Sequence, residues 1–292
     1  MLAPIILFVY NRPEHTKKTL EALYKNKLAN QSELFIFSDG IKKDANKEEI
    51  KNIYEVRKVI KSRKWCNNVN IIESEDNKGL ANSIISGVSM ILNKYEKAII
   101  LEDDIVTSSV FLEFMNKNLD FYKDEQQVYG ISGYCYPNKK IKDTTYFLPI
   151  GSSWGWGTWL NRWNKINFNA EELLKVVKER KLQKKMNFNG YGFYEMLEAQ
   201  VSGLVDSWAI RFYTSFFLKG GFFLFPNVSL VKNIGFDNSG VHCSTDNHFD
   251  IVQNASIKSY KKIPVVVKRN IIKKIKLVPD FSFWHLIKIK IK

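Results

Sequence analysis

Ala98-Ile99-Ile100-Leu101-Glu102-Asp103-Asp104 runs an aliphatic stretch straight into three carboxylates. The apolar half reads as a buried strand, and packing does not ask for charge where such a strand stops. Three like charges in sequence repel one another, so they persist where a cation or hydrogen-bond donors sit among them. Hard carboxylate oxygens suit Mg²⁺ or Mn²⁺. A helix start is the other reading: Thr107, Ser108 or Ser109 would cap a helix expected from about Phe111 to Tyr122, with acids favoured near its positive end. One acid satisfies that reading, whereas three suggest a site.

Upstream, aliphatic runs alternate with amphipathic, charge-rich segments. Strand patterns over Pro4–Tyr10, Glu33–Ser38 and Val69–Ser74 are followed by helical patterns over Glu14–Lys27, Lys47–Lys61 and Leu80–Lys94, before the run that leads into the acids. This order predicts an α/β fold with a mostly parallel, right-handed sheet flanked by helices. Ligands in such sheets bind beyond the carboxyl ends of the strands. Polar residues stand at those ends: Asn11-Arg12, Ser38-Asp39-Gly40, Asp76-Asn77-Lys78-Gly79 and the three acids. Neither Gly-x-Gly-x-x-Gly nor Gly-Lys-Ser/Thr occurs, so dinucleotide-binding and P-loop readings lose their main support.

The chain has 292 residues, 45% hydrophobic and 14% aromatic, enough for a large globular core. Cys66, Cys135 and Cys243 are widely spaced, odd in number and without a metal-ligand pattern, which points to a reducing, cytoplasmic setting. The opening Met1–Tyr10 lacks a basic leader and reads as a first strand, not a signal peptide or membrane span. The net charge of +14 is unevenly spread: Lys258–Lys292 holds eleven Lys or Arg against Asp280 alone, leaving +4 on the preceding 257 residues. The sequence therefore divides into a body, 1–250, and a basic, apolar tail, 251–292. Cations interleaved with Ile, Phe281, Phe283 and Trp284 suit the inner face of an anionic membrane, and a solvated basic tail fits the same composition. No nucleic-acid motif or stacking signature is present in the body, so RNA or DNA partners are not expected.

From Pro4 to His242 the chain resembles nucleotide-sugar-dependent glycosyltransferases of the GT-A fold, in particular bacterial family 2-like enzymes and the N-acetylglucosaminyltransferase I group. Asn11-Arg12-Pro13 is similar to the segment that meets the nucleotide, and Asp39 to the acid that contacts the base. Asn77-Lys78-Gly79-Leu80-Ala81 looks like the donor-binding turn. The resemblance assigns Asp104 to a Mn²⁺ or Mg²⁺ ion, Asp103 to the neighbourhood of the ribose and Glu102 to that of the donor sugar. Arg12 or Lys78 is expected to add positive potential near the phosphates, where charge builds up.

In the second half, Gly151-Ser152-Ser153-Trp154-Gly155-Trp156-Gly157-Thr158-Trp159 combines glycine turns with indole faces that stack on sugars. Trp154 and Trp156 are the candidate platforms, with Trp208 beside them, whereas Trp159 and Trp163, four apart on an expected helix, suit the core. Val205-Asp206-Ser207-Trp208 resembles the family's Asp-x-Trp segment, which makes Asp206 the catalytic base. A helix cap is its alternative role, and the two are compatible. Gly235–His242 is expected to form a loop over the cleft, with His242 as a second metal or phosphate contact.

The chemistry implied is a direct displacement. Asp206 takes the proton of an acceptor hydroxyl on a glycan or lipid-linked acceptor, which attacks the donor sugar opposite its nucleotide diphosphate and inverts the configuration. Two other classes remain open at this level. One is a nucleotidyltransferase that makes a nucleotide-sugar, against which Tyr10-Asn11-Arg12-Pro13 stands in place of a Gly-rich, Arg-containing loop. The other is a non-catalytic glycan- or membrane-binding protein of the same fold.

Overall fold

Strand and helix alternate through the first hundred residues: β1 (Ile5–Val9), α1 (Pro13–Tyr24), β2 (Glu33–Ser38), α2 (Lys47–Lys61), β3 (Asn68–Glu73), α3 (Leu80–Tyr95) and β4 (Lys97–Glu102). The structure is a computed structural model that describes residues 1–138, 141–236 and 260–275. Local chemistry sets several of these boundaries. Pro13 opens α1 with a φ already suited to a helix, and Asn46 with Glu49 forms a complete capping box on α2. Gly79 takes a φ of 74° to lead the chain into α3, a conformation that favours glycine.

The chain continues as β5 (Ile105–Thr107), α4 (Phe111–Phe121), β6 (Val128–Ser132), β7 (Thr145–Leu148), β8 (Trp156–Trp159), α5 (Leu160–Trp163), α6 (Ala170–Glu179), α7 (Gln183–Met186), α8 (Phe193–Val201), α9 (Trp208–Leu218), β9 (Phe222–Pro226), β10 (Val231–Asn233) and α10 (Arg269–Ile272). The expected hydroxyl cap on α4 is not used. Val110 occupies that position without a side-chain bond, and Thr107 lies in β5, where its Oγ1 accepts from Asn26 Nδ2 at 3.0 Å.

Eight strands form one sheet in the order β3-β2-β1-β4-β8-β6-β9-β7. The first four are mutually parallel, as the repeating pattern expects. β8 then runs antiparallel between β4 and β6, β9 is parallel to β6, and β7 closes the edge antiparallel. The second half of the tryptophan–glycine stretch, Trp156–Trp159, thus becomes a central strand, while Gly155 turns the chain into it at a φ of 60°. Gly157 lets β4 approach closely there: a Cβ would lie 3.0 Å from the Ala98 carbonyl oxygen, a tight contact. Alternation along each strand divides the core between the two faces. Ile6, Phe8 and Ile100 point to the side covered by α3 and α9, and Ile5, Leu7 and Leu101 to the side covered by α1, α2 and α4.

Residues 260–275 strap back across the body. Tyr122 and Ile263 exchange two hydrogen bonds, at 3.2 and 2.8 Å, and Lys262 pairs with Glu125 at 2.8 Å. Ile271 and Ile275 are buried, and Asn189 Nδ2 donates to the Ile272 carbonyl at 3.1 Å. Part of the 251–292 region set apart by composition is therefore tied into the body; 251–259 and 276–292 lie outside the described residues. Among the described residues no helix is long and apolar enough to cross a membrane.

Candidate active site

The chain visits β1, β2 and β3 in one direction and then returns to place β4 on the far side of β1. The carboxyl ends of β1 and β4 therefore flank the point where strand order reverses, the crevice at which open α/β sheets bind ligands. Arg12 follows β1, and Glu102, Asp103 and Asp104 end β4. The Arg12 guanidinium donates to Asp103 Oδ1, and its Nη2 also reaches Asp104 Oδ2 at 3.0 Å. Thr19 Oγ1 donates to the Asp103 carbonyl at 2.8 Å, which anchors the turn to α1.

Three carboxylates face one guanidinium here. Burial, helped by the charges of Asp104 and Asp103, pushes the Glu102 carboxyl up to about 8. Burial also lifts Asp103, to about 6, against the opposing pull of Arg12. Burial works against the Arg12 charge, but the two aspartates outweigh it and hold its pKa above the ordinary value. The site stores more negative charge than its own arginine neutralises.

A short ribbon presses on these acids. β10 pairs antiparallel with β5, placing Asn233 opposite Ile105, and the next residue, Ile234, donates its N–H to the Asp104 carbonyl at 2.9 Å. His15 Nε2 lies 3.2 Å from the Ile234 carbonyl oxygen. Gly235 then passes so close that a Cβ would sit 2.4 Å from Asp104 Oδ2 and 3.0 Å from Arg12 Nη1. Only glycine fits this crossing without displacing the carboxylate.

At the end of β2, both Asp39 oxygens are taken by the protein. Oδ1 accepts from the backbone N–H groups of Gly40 and Lys78, each at 3.0 Å. Oδ2 accepts from Asn77 Nδ2 at 3.1 Å and Gly79 N at 3.0 Å. Asp39 thereby fixes the turn that launches α3, while Lys78 is exposed.

A cleft of about 270 Å³ opens beside the ribbon, lined among others by Trp154, Trp208, Asn233 and Phe236. Trp154 packs against Tyr134 and Phe236, with ring centroids 4.5 and 5.5 Å away. Trp156 does not serve as a platform. It is 1% exposed within the sheet and stacks on Trp208 at 5.3 Å, so neither of its faces meets solvent. Trp159 and Trp163 are buried as expected, although Trp159 ends a strand. Ser207, not Asp206, caps α9, its hydroxyl accepting from Ile210 N at 3.3 Å. The Asp206 side chain is 64% exposed, pairs with Arg211 at 2.9 Å and is not among the cleft-lining residues, although Trp208 and Ala209 are.

His242 lies outside the described residues, as does most of the Gly235–His242 loop. Among the described residues no cluster of three or more His, Cys, Asp or Glu side chains is arranged to hold a metal. The donor set nonetheless suits Mg²⁺ or Mn²⁺. Such ions are commonly held by one or two carboxylates plus substrate phosphates, without a full protein cage. The excess acid charge and an Asp104 Oδ1 without a hydrogen bond among the described residues fit that arrangement.

The sequence assigns His15 no site role and places Gly235 only in a loop over the cleft, not against Asp104. An isolated glycine or histidine carries no local periodic signal, and only the β5–β10 pairing reveals their position.

The chain matches no protein-family model and no curated protein. Among solved structures it is similar to S. aureus TarS 1-349, at 13% identity over 79% of this chain and 60% of that one, with a TM-score of 0.43. It is also similar to mouse xyloside xylosyltransferase 1, at 11% identity over 74% of this chain and 81% of that one, TM-score 0.41. A UDP-glucose pyrophosphorylase complexed with UDP-glucose shows 10% identity over 80% and 92% of the two chains, TM-score 0.39.

Proposed function

We propose that the chain is a GT-A-type glycosyltransferase that moves a hexose or N-acetylhexosamine from a nucleotide-sugar, a UDP-sugar by resemblance, to a hydroxyl of a glycan or lipid-linked acceptor. The observation that carries this reading is the convergence at the strand-order reversal: Arg12 from β1 bonded to Asp103 and Asp104 from β4, beside an aromatic cleft. Arg12 supplies a fixed positive group for a diphosphate, an electrostatic role suited to a site where negative charge builds up. Asp104, with the donor's own phosphates, would hold Mg²⁺ or Mn²⁺. When bound there, such an ion would supply Lewis-acid stabilisation to the leaving diphosphate. Asp39 keeps the Asn77–Gly79 turn in place on the donor side.

Asp206, free of a capping duty and oriented by Arg211, is the base that takes the acceptor proton in an inverting displacement. General-base help of this kind contributes about 10² to 10⁴ in rate. The setting we propose is the cytoplasmic face of a membrane, with the basic tail holding the enzyme near acceptors for a surface polysaccharide.

A thermal-shift panel of UDP, GDP, CMP and ADP, with and without Mn²⁺, tests the donor site. A shift with one nucleotide that needs Mn²⁺ and disappears in Asp104→Ala supports the reading. Asp206→Asn is expected to keep the shift and lose transfer. Equal loss of nucleotide binding in both variants contradicts this division of roles, and pyrophosphate release from a nucleoside triphosphate plus sugar phosphate would identify a nucleotidyltransferase instead.

A further inference from the structure

Two basic segments far apart in the chain are laid side by side. Residues 175–185, from α6 into α7, carry six Lys or Arg against Glu179 alone, and residues 268–275 of the strap carry four and no acid. Asn189, just past α7, donates its Nδ2 to the carbonyls of Ile272 and Ile275 at 3.1 and 3.4 Å. Ile271 and Ile275 bury in the same core cluster as Met186 and Phe188. Lys175 pairs with Glu179 at 3.9 Å, Lys178 with Glu198 at 3.4 Å and Lys268 with Asp143 at 2.9 Å. Arg180, Lys181, Lys184, Lys185, Arg269 and Lys273 are exposed and make no ion pair among the described residues. The stretches outside the described residues do not offset this charge, since they hold four acids, Asp237, Asp246, Asp250 and Asp280, against seven lysines of their own. Like charges gathered this way repel one another, and Lys181 adds backbone strain with a φ of 53°, which favours glycine. Holding them together costs stability that an anionic surface would restore.

We propose that α7 and the strap form one face that docks on an anionic lipid surface. Six unpaired cations fall within the roughly four to eight that recognise anionic headgroups. A bilayer meets them together, which matters because their attraction fades over about 8 Å at physiological salt. Chain position agrees: the strap ends at Ile275 on this face, and residues 276–292 beyond it bring Phe281, Phe283 and Trp284 together with four lysines. Stable attachment takes two weak signals, and the face and the tail supply one each. The docking face also bears on the acceptor. α7 leads through Phe188–Gly190 to Tyr191 and Phe193, which line the aromatic cleft. A bilayer on this face therefore lies within a few residues of the cleft wall, which suits a lipid-linked acceptor better than a soluble glycan; that step rests on the glycosyltransferase reading above.

Co-sedimentation of the full chain at physiological salt tests the face, with vesicles of phosphatidylcholine alone and of phosphatidylcholine mixed with phosphatidylglycerol. Binding is expected to the mixed vesicles only. Lys184→Gln/Lys185→Gln and Arg269→Gln/Lys273→Gln, exposed pairs from the two segments, should each weaken it about tenfold or more with Tm unchanged. Lys17→Gln/Lys18→Gln removes the same charge from α1, on the opposite side of the sheet, and should change binding by no more than about twofold. An equal loss in all three variants would show attraction to net charge and not to a face, and unchanged binding in both face variants would leave the tail acting alone; either overturns the proposal. No binding to the mixed vesicles, or capture of RNA in their place through the same lysines, overturns it as well. Vesicle binding needs neither donor nor acceptor, so a chain that docks through this face yet shows no nucleotide shift keeps the face and removes the glycosyltransferase reading.

Discussion

Arg12 Nη2 spans from the end of β1 to Asp104 Oδ2 at the end of β4, 3.0 Å away, and so joins the two strands at which the sheet reverses its order. The same guanidinium bonds to Asp103, so one cation holds two acids from an adjacent strand.

Removing that cation strands buried negative charge. Arg12→Met is expected to cost about 3–5 kcal/mol, as for other buried pairs broken on one side. The double variant Arg12→Met/Asp103→Asn should recover a substantial part of it. Urea denaturation of the two variants decides: a loss below about 1 kcal/mol in the single variant would show that the pair is not coupled to folding.

The acids also give a pH signature. Glu102 and Asp103 have folded-state values of about 8 and about 6, above their ordinary ones. Raised carboxyl values favour the folded state while the groups are protonated, so their contribution falls as pH rises, through about 6 for Asp103 and then about 8 for Glu102. A divalent cation held by these acids would replace the lost protons. The rise in Tm on adding Mg²⁺ should therefore be larger at pH 8 than at pH 5.5, and a chelator should reverse it. A shift independent of pH would contradict this.

Gly235→Ala places a methyl group on Asp104 Oδ2. Overpacking of this kind costs about 1–3 kcal/mol. The displaced carboxylate should weaken Mn²⁺-dependent nucleotide binding as well, and unchanged binding in a thermal-shift assay would show that the ribbon yields without moving the acid.

Two neighbouring tryptophans are expected to separate cleanly. Trp156→Ala opens a cavity in the sheet and should cost about 3–5 kcal/mol, whereas Trp154→Ala should cost much less and raise the acceptor KM with little change in kcat. The reverse pattern in denaturation and kinetics would exchange their roles.

Truncation distinguishes strap from tail. A chain ending at residue 259 loses buried Ile271 and Ile275 and should be destabilised by about 3–6 kcal/mol, at about 1.5–3 kcal/mol for each side chain. A chain ending at residue 275 should keep its Tm and lose sedimentation with anionic vesicles. Full sedimentation of that shorter chain would place any membrane contact elsewhere.

The parallel half of the sheet was legible because each strand is an unbroken aliphatic run and each helix shows its own periodicity; Glu33–Ser38 and Lys47–Lys61 fall where the pattern puts them. The acids at the end of β4 stood out because charge there has no packing reason. Trp156 was misread because indoles between glycines look alike whether they line a cleft or fill a sheet. Only the pairing of β8 between β4 and β6 buries it. The strap was hidden for a related reason: its Lys-rich composition suggests solvent, while the isoleucines that anchor it carry too short a pattern to reveal their partners. Asp39 shows a third limit, since a carboxylate at a strand end looks identical whether it meets a ligand or the N–H groups of a nearby turn.

Tyr122 and Ile263 meet at a sequence separation of 141. Contacts this distant along the chain repay their closure entropy only after the intervening segments have come together. The strap is therefore expected to dock late during folding and to detach early, and backbone amides near Ile263 should exchange with deuterium well before those of β1 and β4. The molecule thus has a seam, one edge at which it can begin to open while the strands that carry Arg12 and Asp104 stay paired.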